Sequence, residues 1–293
     1  MSPYVGAAPA LIAVANGYFE GEGLKVTVQG HPSGKAALDA VIAGKADVAT
    51  VAELPVALAA VKGHPVTILA TLSTQTTYGI VARTDRGVSS PAALKGKRIA
   101  VTAGTTADFF LDALLVRQRL SRNDVQVIGR EPGEMADALE KGDVEAISTW
   151  EPYLSDARQR LGAKATVFPS EGIYESTFNL ASTRDFANKR GETVKRILRA
   201  MLRAERWMAS DPAASEKIVA QALKKSPEEA RQLLVKNRFA LSLEQNLLVV
   251  MEDEARWAVR NKVVEAKGTP NFLDVVHIDG LAAVKPRSVT VIR

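Results

Sequence analysis

Short apolar runs alternate with longer amphipathic runs over the first 180 residues of the chain. The short runs are rich in Val, Ile and Thr, and several are apolar at every position, which is typical of strands buried on both faces. They predict strands at 24–28, 47–51, 66–71, 78–83, 98–102, 125–128, 144–149 and 178–182. The runs between them predict helices at 8–20, 35–43, 54–61, 106–120, 134–141 and 152–161. This alternation predicts an α/β protein with parallel sheets covered by helices.

The pattern changes after residue 183, where the chain becomes almost wholly helical. Two helix starts are marked by an oxygen-bearing side chain followed by proline, at Asp211-Pro212 and Ser226-Pro227. The side chain can cap the helix, and proline suits its first position. Only 288–292 returns to the pattern of a strand.

An internal resemblance links residues 37–55 with residues 136–152. Each stretch reads as an amphipathic helix stopped by a glycine, Gly44 or Gly142, then a short strand, then a Glu close to a Pro where another helix begins. Glycine suits that place because the left-handed conformation that often ends a helix costs it little. Two similar α/β halves predict two lobes of related architecture.

Composition excludes several kinds of chemistry. The chain has 293 residues, of which 46% are hydrophobic and 24% charged, and it contains no cysteine. The absence of cysteine excludes disulfides, thiolate metal sites and a cysteine nucleophile. The three histidines, His31, His64 and His277, lack the spacing of metal ligands. We therefore expect no catalytic residues, no metal and no cofactor.

The net charge of +5 is spread along the chain, and its densest runs lie at 95–98 and 196–206. We expect a solvated helix face there and no nucleic-acid surface. No apolar stretch approaches the roughly 20 residues that span a bilayer. Met1 is followed directly by Ser2-Pro3-Tyr4, without the charged and apolar regions of a signal peptide. The sequence read alone fits either a cytosolic protein or a mature exported form.

Several stretches along the chain form one ordered set of motifs. Residues 4–23 read YVGAAPALIAVANGYFEGEG, in which a loop and a proline precede a helix that ends in GYFE. The other stretches are 94–101 followed by 104–106, 138–146, 150–153, 271–274 and 289–292. In their order and spacing along nearly the whole chain, these stretches resemble the solute-binding proteins of nitrate, sulfonate and taurine ABC transporters, the NMT1-like family.

The resemblance implies a two-lobed periplasmic-binding-protein fold of the two-crossover kind, type II. Lobe I would contain 1–79 and 183–293, lobe II would contain the inserted residues 80–182, and the ligand cleft would lie between them. The family normally has a full strand before the loop at 4–9, where this sequence has only Met1-Ser2-Pro3. We therefore expect that loop to be less firmly held.

The resemblance also implies a function. The protein would be the substrate-binding component of an ABC importer, located in the periplasm. It would capture a small anionic solute, such as a sulfonate, taurine or nitrate, by hinge closure, and the closed form would meet a membrane permease. We expect a monomer that is not an enzyme and binds no nucleic acid.

Two loops that open helices are candidate anion sites. Gly104-Thr105-Thr106 follows a strand, so backbone N–H groups, two hydroxyls and the positive end of a helix dipole converge there. The alternative is ordinary helix capping by one of the threonines. Ser33-Gly34-Lys35 is the equivalent feature of the first half, with a lysine that could add charge or point to solvent.

Further candidates follow from the rule that ligands lie beyond the carboxyl ends of strands in open α/β sheets. They are Tyr4 in the first loop, Ser73, Thr74 and Gln75 after the third strand, and Glu53, Trp150 and Glu151. Trp150 could stack on a ligand or form a wall of the cleft. Glu53 and Glu151 could select a ligand that carries an amine, or could be acids favoured at helix N-termini.

Other functions stay open at this point. A binding protein for a pyrimidine, a thiamine precursor or an aromatic solute would use a related cleft. An enzyme on the same fold is a second alternative, although some such relatives depend on a cysteine that this chain lacks. A third is the effector domain of a transcriptional regulator, which would need a DNA-binding helix-turn-helix for which there is no room before residue 4.

Overall fold

The chain crosses twice between two units of structure in a computed structural model that describes residues 1–2, 4–266 and 268–292. Unit 1 is formed by Met1–Gln75 together with Ser176–Arg293, and unit 2 by Thr76–Glu175. The crossings lie at 75/76 and 175/176, a few residues before the predicted lobe boundaries at 79/80 and 182/183. Each unit has its own sheet.

Nine strands are present in the described residues. They are β1 (Val48–Ala52), β2 (Val66–Gln75), β3 (Tyr78–Arg83), β4 (Arg98–Val101), β5 (Gln126–Gly129), β6 (Ala146–Trp150), β7 (Ala165–Pro169), β8 (Ser176–Thr183) and β9 (Asn237–Ser242). The helices are α1 (Ala8–Ala15), α2 (Tyr18–Gly21), α3 (Gly34–Ile42), α4 (Glu53–Val61), α5 (Thr106–Arg117), α6 (Met135–Lys141), α7 (Tyr153–Leu161), α8 (Arg184–Lys189), α9 (Gly191–Ser210), α10 (Pro212–Leu223), α11 (Pro227–Leu234), α12 (Gln245–Arg260) and α13 (Ile278–Val284).

The sheet of unit 1 has the order β1-β8-β2-β9, and every neighbouring pair is antiparallel. The prediction of a parallel sheet was therefore wrong for this unit. The reason is that β8, returning from unit 2, inserts between β1 and β2 and runs opposite to both. The edge of β1 that faces away from β8 has no strand partner among the described residues.

The sheet of unit 2 has the order β5-β4-β6-β3-β7. β4 is parallel to β5 and β6, whereas β3 is antiparallel to β6 and β7. Strands β4, β5, β6 and β7 consequently all run the same way, and their carboxyl ends lie at one edge of the sheet. Helix α5 buries Phe110 and Leu111 on one face, and α6 and α7 bury Met135, Leu139 and Leu154 on the other.

Helices cover the sheet of unit 1. The long helix α9 forms because its apolar positions recur at helical spacing, so that Val194, Leu198 and Met201 fall on one buried face. It packs against α1 and α13, while α12 packs against α4. Among the described residues, no helix combines the length and the apolar character that a membrane span needs.

Four details of the predicted elements were wrong. The helix predicted at 8–20 breaks into α1 and α2, because Gly17 takes the left-handed conformation with φ of 65°. The strand predicted at 288–292 reduces to a single bridge between Leu243 and Val289. The stretch 24–28 forms no strand, and β7 and β9 were not predicted. Most of the remaining strands lie within two residues of their predicted bounds.

Candidate functional site

The turn between β4 and α5 shows how unit 2 positions its anion-site candidate. Gly104 has φ of 69°, a left-handed conformation that glycine adopts without strain. Its N–H donates to the Asp108 Oδ2 atom at 3.0 Å, so an acid in the first turn of α5 holds the loop. The turn thereby brings the chain out of the sheet and directly into the helix N-terminus.

The two threonines that follow Gly104 have different surroundings. The Thr105 hydroxyl donates to the Thr102 carbonyl at 2.7 Å and makes no cap hydrogen bond to the helix. Thr106 is 1% exposed, and its Oγ1 atom has no hydrogen-bond partner among the described residues. Neither hydroxyl therefore caps α5. The Asp108 N–H donates to the Thr105 carbonyl at 2.9 Å, whereas the N–H groups of Thr106 and Ala107 have no partner among the described residues.

A buried ion pair compensates the acid beside this loop. Asp108 is 1% exposed and lies 2.7 Å from the Arg122 Nη1 atom, which is also 3.1 Å from Asp112 Oδ1. Burial alone would lower the pKa of Arg122, but the two carboxylates outweigh it and raise that pKa. Arg122 therefore stays charged and offsets the negative charge of Asp108 next to the helix N-terminus.

The end of β6 lies beside the start of α5. The Ser148 hydroxyl donates to the Ala107 carbonyl at 2.7 Å, which ties the strand to the first turn of the helix. The next residue, Thr149, is fully buried, and its Oγ1 atom has no partner among the described residues. Trp150 is half-buried and packs its ring against Tyr153 at 5.7 Å with the planes perpendicular.

Glu151 takes the role of a helix N-terminal acid. It is 2% exposed, and its Oε2 atom accepts from the Ser155 N–H at 3.1 Å, in the first turn of α7. Its own N–H donates to the Thr77 carbonyl at 3.1 Å. The carboxylate thus satisfies backbone groups of unit 2, which is the structural alternative that the sequence left open.

Three buried hydroxyls of unit 2 share one property, which is that they lack a hydrogen-bond partner in the described structure. They belong to Thr106, Thr149 and Ser170. Thr106 and Ser170 come after β4 and β7, and Thr149 lies near the end of β6. The carboxyl ends of these three parallel strands lie at the same end of the sheet. Sequence reasoning missed Thr149 and Ser170. The signal for Thr149 was its place at the end of a predicted strand, whereas Ser170 follows β7, a strand that was not predicted.

In unit 1, Tyr4 and Ser73 meet around the first turn of the chain. Tyr4 is 3% exposed, and its ring centre lies 4.7 Å from that of Phe178. The Ser73 hydroxyl donates to the Gly6 carbonyl at 3.2 Å. A Cβ atom at Gly6 would lie 2.8 Å from the Gln75 Oε1 atom and 2.9 Å from the Tyr4 ring, so only glycine fits there. The predicted looseness of the loop at 4–9 is not seen, because these contacts bury it.

The end of β2 carries two further polar groups. The Thr74 Oγ1 and Gln75 Oε1 atoms are buried without a hydrogen-bond partner among the described residues. The Gln75 amide group donates to the Ser176 hydroxyl at 3.3 Å, which fixes the direction of its side chain. Gln75 was a candidate from the sequence together with Ser73 and Thr74, and the structure places all three at the end of β2.

Glu53 is fully buried at the start of α4. Its Oε2 atom accepts from the Thr177 N–H at 2.8 Å and from the Thr177 hydroxyl at 3.0 Å. Asn179 donates to that hydroxyl at 2.9 Å and accepts from Thr71 at 2.8 Å. The carboxylate therefore belongs to a hydrogen-bonded network that joins α4 to β8 and β2.

The loop at 33–35 opens α3 against the end of β1. The Ser33 hydroxyl accepts from the Ala36 N–H at 3.2 Å and caps the helix. A Cβ atom at Gly34 would lie 2.9 Å from the Val51 Cα atom, so glycine permits the close approach of the helix. Lys35 pairs with Asp39 at 3.0 Å on the exposed side. Next to this loop, the buried Thr50 hydroxyl lacks a partner in the described residues.

The described residues contain no group of three or more His, Asp or Glu side chains placed to hold a metal ion. At the candidate residues, the polar groups without protein partners are hydroxyls, an amide oxygen and the first N–H groups of α5. Groups of this kind can hydrogen-bond a small anion or a neutral polar solute. In each unit these groups lie near the ends of strands, and the candidate residues described here include no nucleophile beside a general base.

Comparisons with known proteins agree on one group of relatives. The family model described as NMT1/THI5 like matches residues 5–215. The chain is 30% identical over 270 residues to a putative aliphatic sulfonates-binding protein of Bacillus subtilis, a match that covers 88% of this chain and 80% of the relative. It is 27% identical over 211 residues to the taurine-binding periplasmic protein of Escherichia coli, covering 70% of this chain and 65% of the relative.

A solved structure matches over almost the full length. The alkanesulfonate-binding protein SsuA from Xanthomonas axonopodis pv. citri, bound to MOPS, gives a TM-score of 0.81 at 20% identity and covers 94% of this chain and 96% of that one. This likeness confirms the periplasmic-binding-protein fold. An enzyme also matches more distantly: a pyrimidine phosphate synthase of Schizosaccharomyces pombe is 29% identical over 138 residues, which are 47% of this chain and 39% of the enzyme.

Proposed function

Because the chain belongs to the NMT1/THI5-like family, we propose that it is the substrate-binding component of an ABC importer and that it carries a small anionic solute unchanged. A sulfonate such as taurine is the first candidate class, since two of the relatives that match most of the chain are named for aliphatic sulfonates and taurine. A nitrate-like anion is the second. The synthase likeness spans less than half of either chain and carries less weight.

One observation carries the proposal of an anion. At the N-terminus of α5 the N–H groups of Thr106 and Ala107 have no protein partner in the described structure, and the buried Thr106 hydroxyl beside them has none either. An isolated buried hydroxyl is destabilising by about 1 to 3 kcal/mol, so its presence favours a partner supplied from outside the chain. The positive end of the helix dipole makes that partner an anion.

The charges around the N-terminus of α5 are compatible with a bound anion. Asp108 would repel an anion, but its carboxylate accepts from Gly104 and pairs with Arg122. Hydrogen bonds to a charged group contribute about 1.5 to 3 kcal/mol each when water is excluded. Two or three such bonds from the start of α5 would account for selective binding of an oxyanion.

The remaining predicted contacts stay part of the proposal. In unit 2 they are Gly104, Thr105 and Trp150, to which we add Thr149 and Ser170. In unit 1 they are Tyr4, Ser33, Gly34, Ser73, Thr74 and Gln75, to which we add Thr50. Glu53 and Glu151 have protein partners, which favours the structural role of each over contact with a ligand amine.

We also propose the cellular setting that the family suggests. The ligand would contact residues of both units, and the two chain crossings at 75/76 and 175/176 would act as the hinge that closes around it. The closed form would then be recognised by a membrane permease in the periplasmic space. Scattering profiles recorded with and without saturating ligand test this step, because closure reduces the radius of gyration and its absence leaves the profiles identical.

A thermal-shift screen tests the proposed function. The ligand-free protein is compared in alkanesulfonates, taurine, nitrate and pyrimidines, and the recovered solute is identified by mass spectrometry. A ligand at 100 times its Kd adds about 2.7 kcal/mol of apparent stability, which is measurable. Stabilisation by a sulfonate or nitrate that is recovered unchanged supports the proposal. Stabilisation by pyrimidines alone, or recovery of a converted product, contradicts it.

A further inference from the structure

The aromatic residues of unit 2 all lie toward one end of its sheet. They are Tyr78, Phe109, Phe110, Trp150, Tyr153, Phe168 and Tyr174. Tyr78 begins β3 and Trp150 ends β6, while Phe109 and Phe110 lie in the first two turns of α5. Because β3 runs opposite to β6 and β7, these positions share the end of the sheet where α5 starts. Among the described residues of unit 2, the opposite end carries no aromatic side chain, so core packing alone does not explain the placement.

Trp150 lies on the face of the sheet that α5 covers. It is directly opposite Tyr78 in the pairing of β6 with β3, and opposite residues of an antiparallel pair present their side chains on the same face. Ser148, two residues earlier, shares that face, and its hydroxyl donates to the Ala107 carbonyl in the first turn of α5 at 2.7 Å. The indole is therefore close to the start of α5, where the N–H groups of Thr106 and Ala107 have no protein partner in the described structure.

The loop after β7 brings a second aromatic ring to α5. The N–H groups of Ile173 and Tyr174 both donate to the Ser170 carbonyl at 2.9 Å and close a tight turn. The ring centre of Tyr174 lies 5.2 Å from that of Phe109, with the planes at 64°. Phe109 is three residues after Thr106 in α5, a spacing at which side chains are neighbours on the helix surface. Both rings therefore lie beside the proposed anion site.

Phe109, Trp150 and Tyr174 form what we call the aromatic rim, and each of them is only half-buried. Trp150 and Tyr174 pack on one side against the buried core that contains Phe110 and Phe168. Their other sides leave apolar surface in contact with water, which is unfavourable in proportion to its area. Single exposed apolar side chains are common, but a group of them around one polar site is typical of a surface that binds a ligand.

We propose that the aromatic rim selects the organic part of the ligand and that the solute is an aromatic sulfonate. Its ring packs on Trp150 and Tyr174, while its sulfonate oxygens bind the start of α5. This inference rests on the proposed function, because it names the class of anion that the same helix N-terminus receives. An aromatic sulfonate suits both features, since its charge is confined to one end and a flat apolar ring forms the other.

Smaller anions leave the aromatic rim unused. Nitrate has no apolar surface, and taurine carries an ammonium group that two methylene groups separate from its sulfonate. A ring that covers the rim removes apolar surface from water on both partners. Contact between aromatic rings in edge-to-face or offset arrangement adds about a further two- to tenfold in affinity beyond the effect of the buried area.

A series of sulfonates tests the proposal on the unaltered protein. Titration calorimetry of ligand-free protein compares benzenesulfonate with methanesulfonate, which keeps only the anion, and with cyclohexanesulfonate, which has six carbons but no flat ring. Taurine completes the series. Benzenesulfonate should bind at least about tenfold more tightly than methanesulfonate and about two- to tenfold more tightly than cyclohexanesulfonate.

The contrary results of this series are distinct. If benzenesulfonate binds no more tightly than methanesulfonate, or if taurine binds most tightly, the inference is overturned while the proposed capture of a sulfonate stands. If no sulfonate in the series binds, the proposed sulfonate function fails and this inference fails with it.

Two variants of Tyr174 test the role of its ring. Tyr174→Ala removes the ring, so it should weaken benzenesulfonate binding by about tenfold and change methanesulfonate affinity by less than about twofold. Tyr174→Phe is the matched control, because it keeps the ring, and its benzenesulfonate affinity should stay within about twofold of the wild type. Circular dichroism first shows that both variants are folded. Unchanged benzenesulfonate affinity in Tyr174→Ala, or an equal loss for both sulfonates, overturns the proposal.

Discussion

Replacing Thr106 by valine separates a ligand-binding hydroxyl from a structural one. The side chain is 1% exposed, and its Oγ1 atom has no hydrogen-bond partner in the described structure. Valine removes that atom and keeps the shape, so the ligand-free protein should lose no stability. It should gain up to about 1 to 3 kcal/mol, the cost of a buried hydroxyl without a partner.

Affinity should move in the opposite direction. A hydrogen bond from this hydroxyl to a charged group contributes about 1.5 to 3 kcal/mol, so Thr106→Val should weaken binding by about ten- to a hundredfold. Thr102→Val is the matched control, because Thr102 is not among the proposed contacts and its hydroxyl donates to the Arg130 carbonyl at 2.9 Å. That variant should lose about 0.5 to 1.5 kcal/mol of stability.

Two measurements on each variant give the comparison. Denaturant unfolding of protein stripped of ligand by unfolding and refolding gives the free energy, and titration calorimetry with the sulfonate found by screening gives the affinity. If Thr106→Val binds the ligand as tightly as the wild type and is less stable, the hydroxyl is structural. The proposed role of the α5 N-terminus would then be refuted.

Three further predictions concern stability. Gly34→Ala should lower the free energy of unfolding by about 1 to 3 kcal/mol, because its Cβ would lie 2.9 Å from the Val51 Cα atom. Glu53→Gln should lower it by about 1 to 3 kcal/mol, because the neutral amide oxygen would accept the two Thr177 hydrogen bonds more weakly than the charged carboxylate oxygen does. Glu145 has its pKa held below 4.5 by hydrogen bonding to Arg98, so its contribution to stability is complete above pH 4.5 and is lost as the pH falls through that lowered pKa.

Each of these predictions has a clear contrary outcome. Gly30→Ala is the control for Gly34, since nothing lies within 4 Å of its Cβ position, and equal stabilities of the two variants would contradict the packing argument. If Glu53→Gln unfolds with the same free energy as the wild type, the argument that the network needs a carboxylate at this position is wrong. As the pH is lowered, the free energy of unfolding should fall less steeply in Glu145→Gln than in the wild type. An unchanged curve would show that other carboxylates cause the loss of stability in acid.

The hydrophobic pattern of the sequence predicted a strand or helix correctly where the residues that it marks as apolar are also the ones that the fold buries. The strand predicted at 78–83 is β3, because its residues are apolar on both faces and buried. The break at Gly17 was not predicted, because an amphipathic pattern can continue across a residue whose backbone reverses. The stretch 24–28 has the pattern of a strand, but a strand requires a neighbour, and pattern alone does not supply one.

The candidate site was predicted only in part for a related reason. Sequence reasoning marked Thr106 because it opens a helix after a strand. It did not mark Thr149 or Ser170, because their importance depends on which strands share a sheet edge. It also could not choose between the roles of Glu53 and Glu151, because the backbone N–H groups that these carboxylates accept from come together only in the folded chain.

The most direct test of the central claim is a crystal structure of the protein with its screened ligand bound. The account predicts an unaltered solute whose anionic oxygens lie about 2.7 to 3.2 Å from the Thr106 N–H and hydroxyl at the start of α5. A ligand whose charged group lies away from that helix, or density for a converted product, would contradict it.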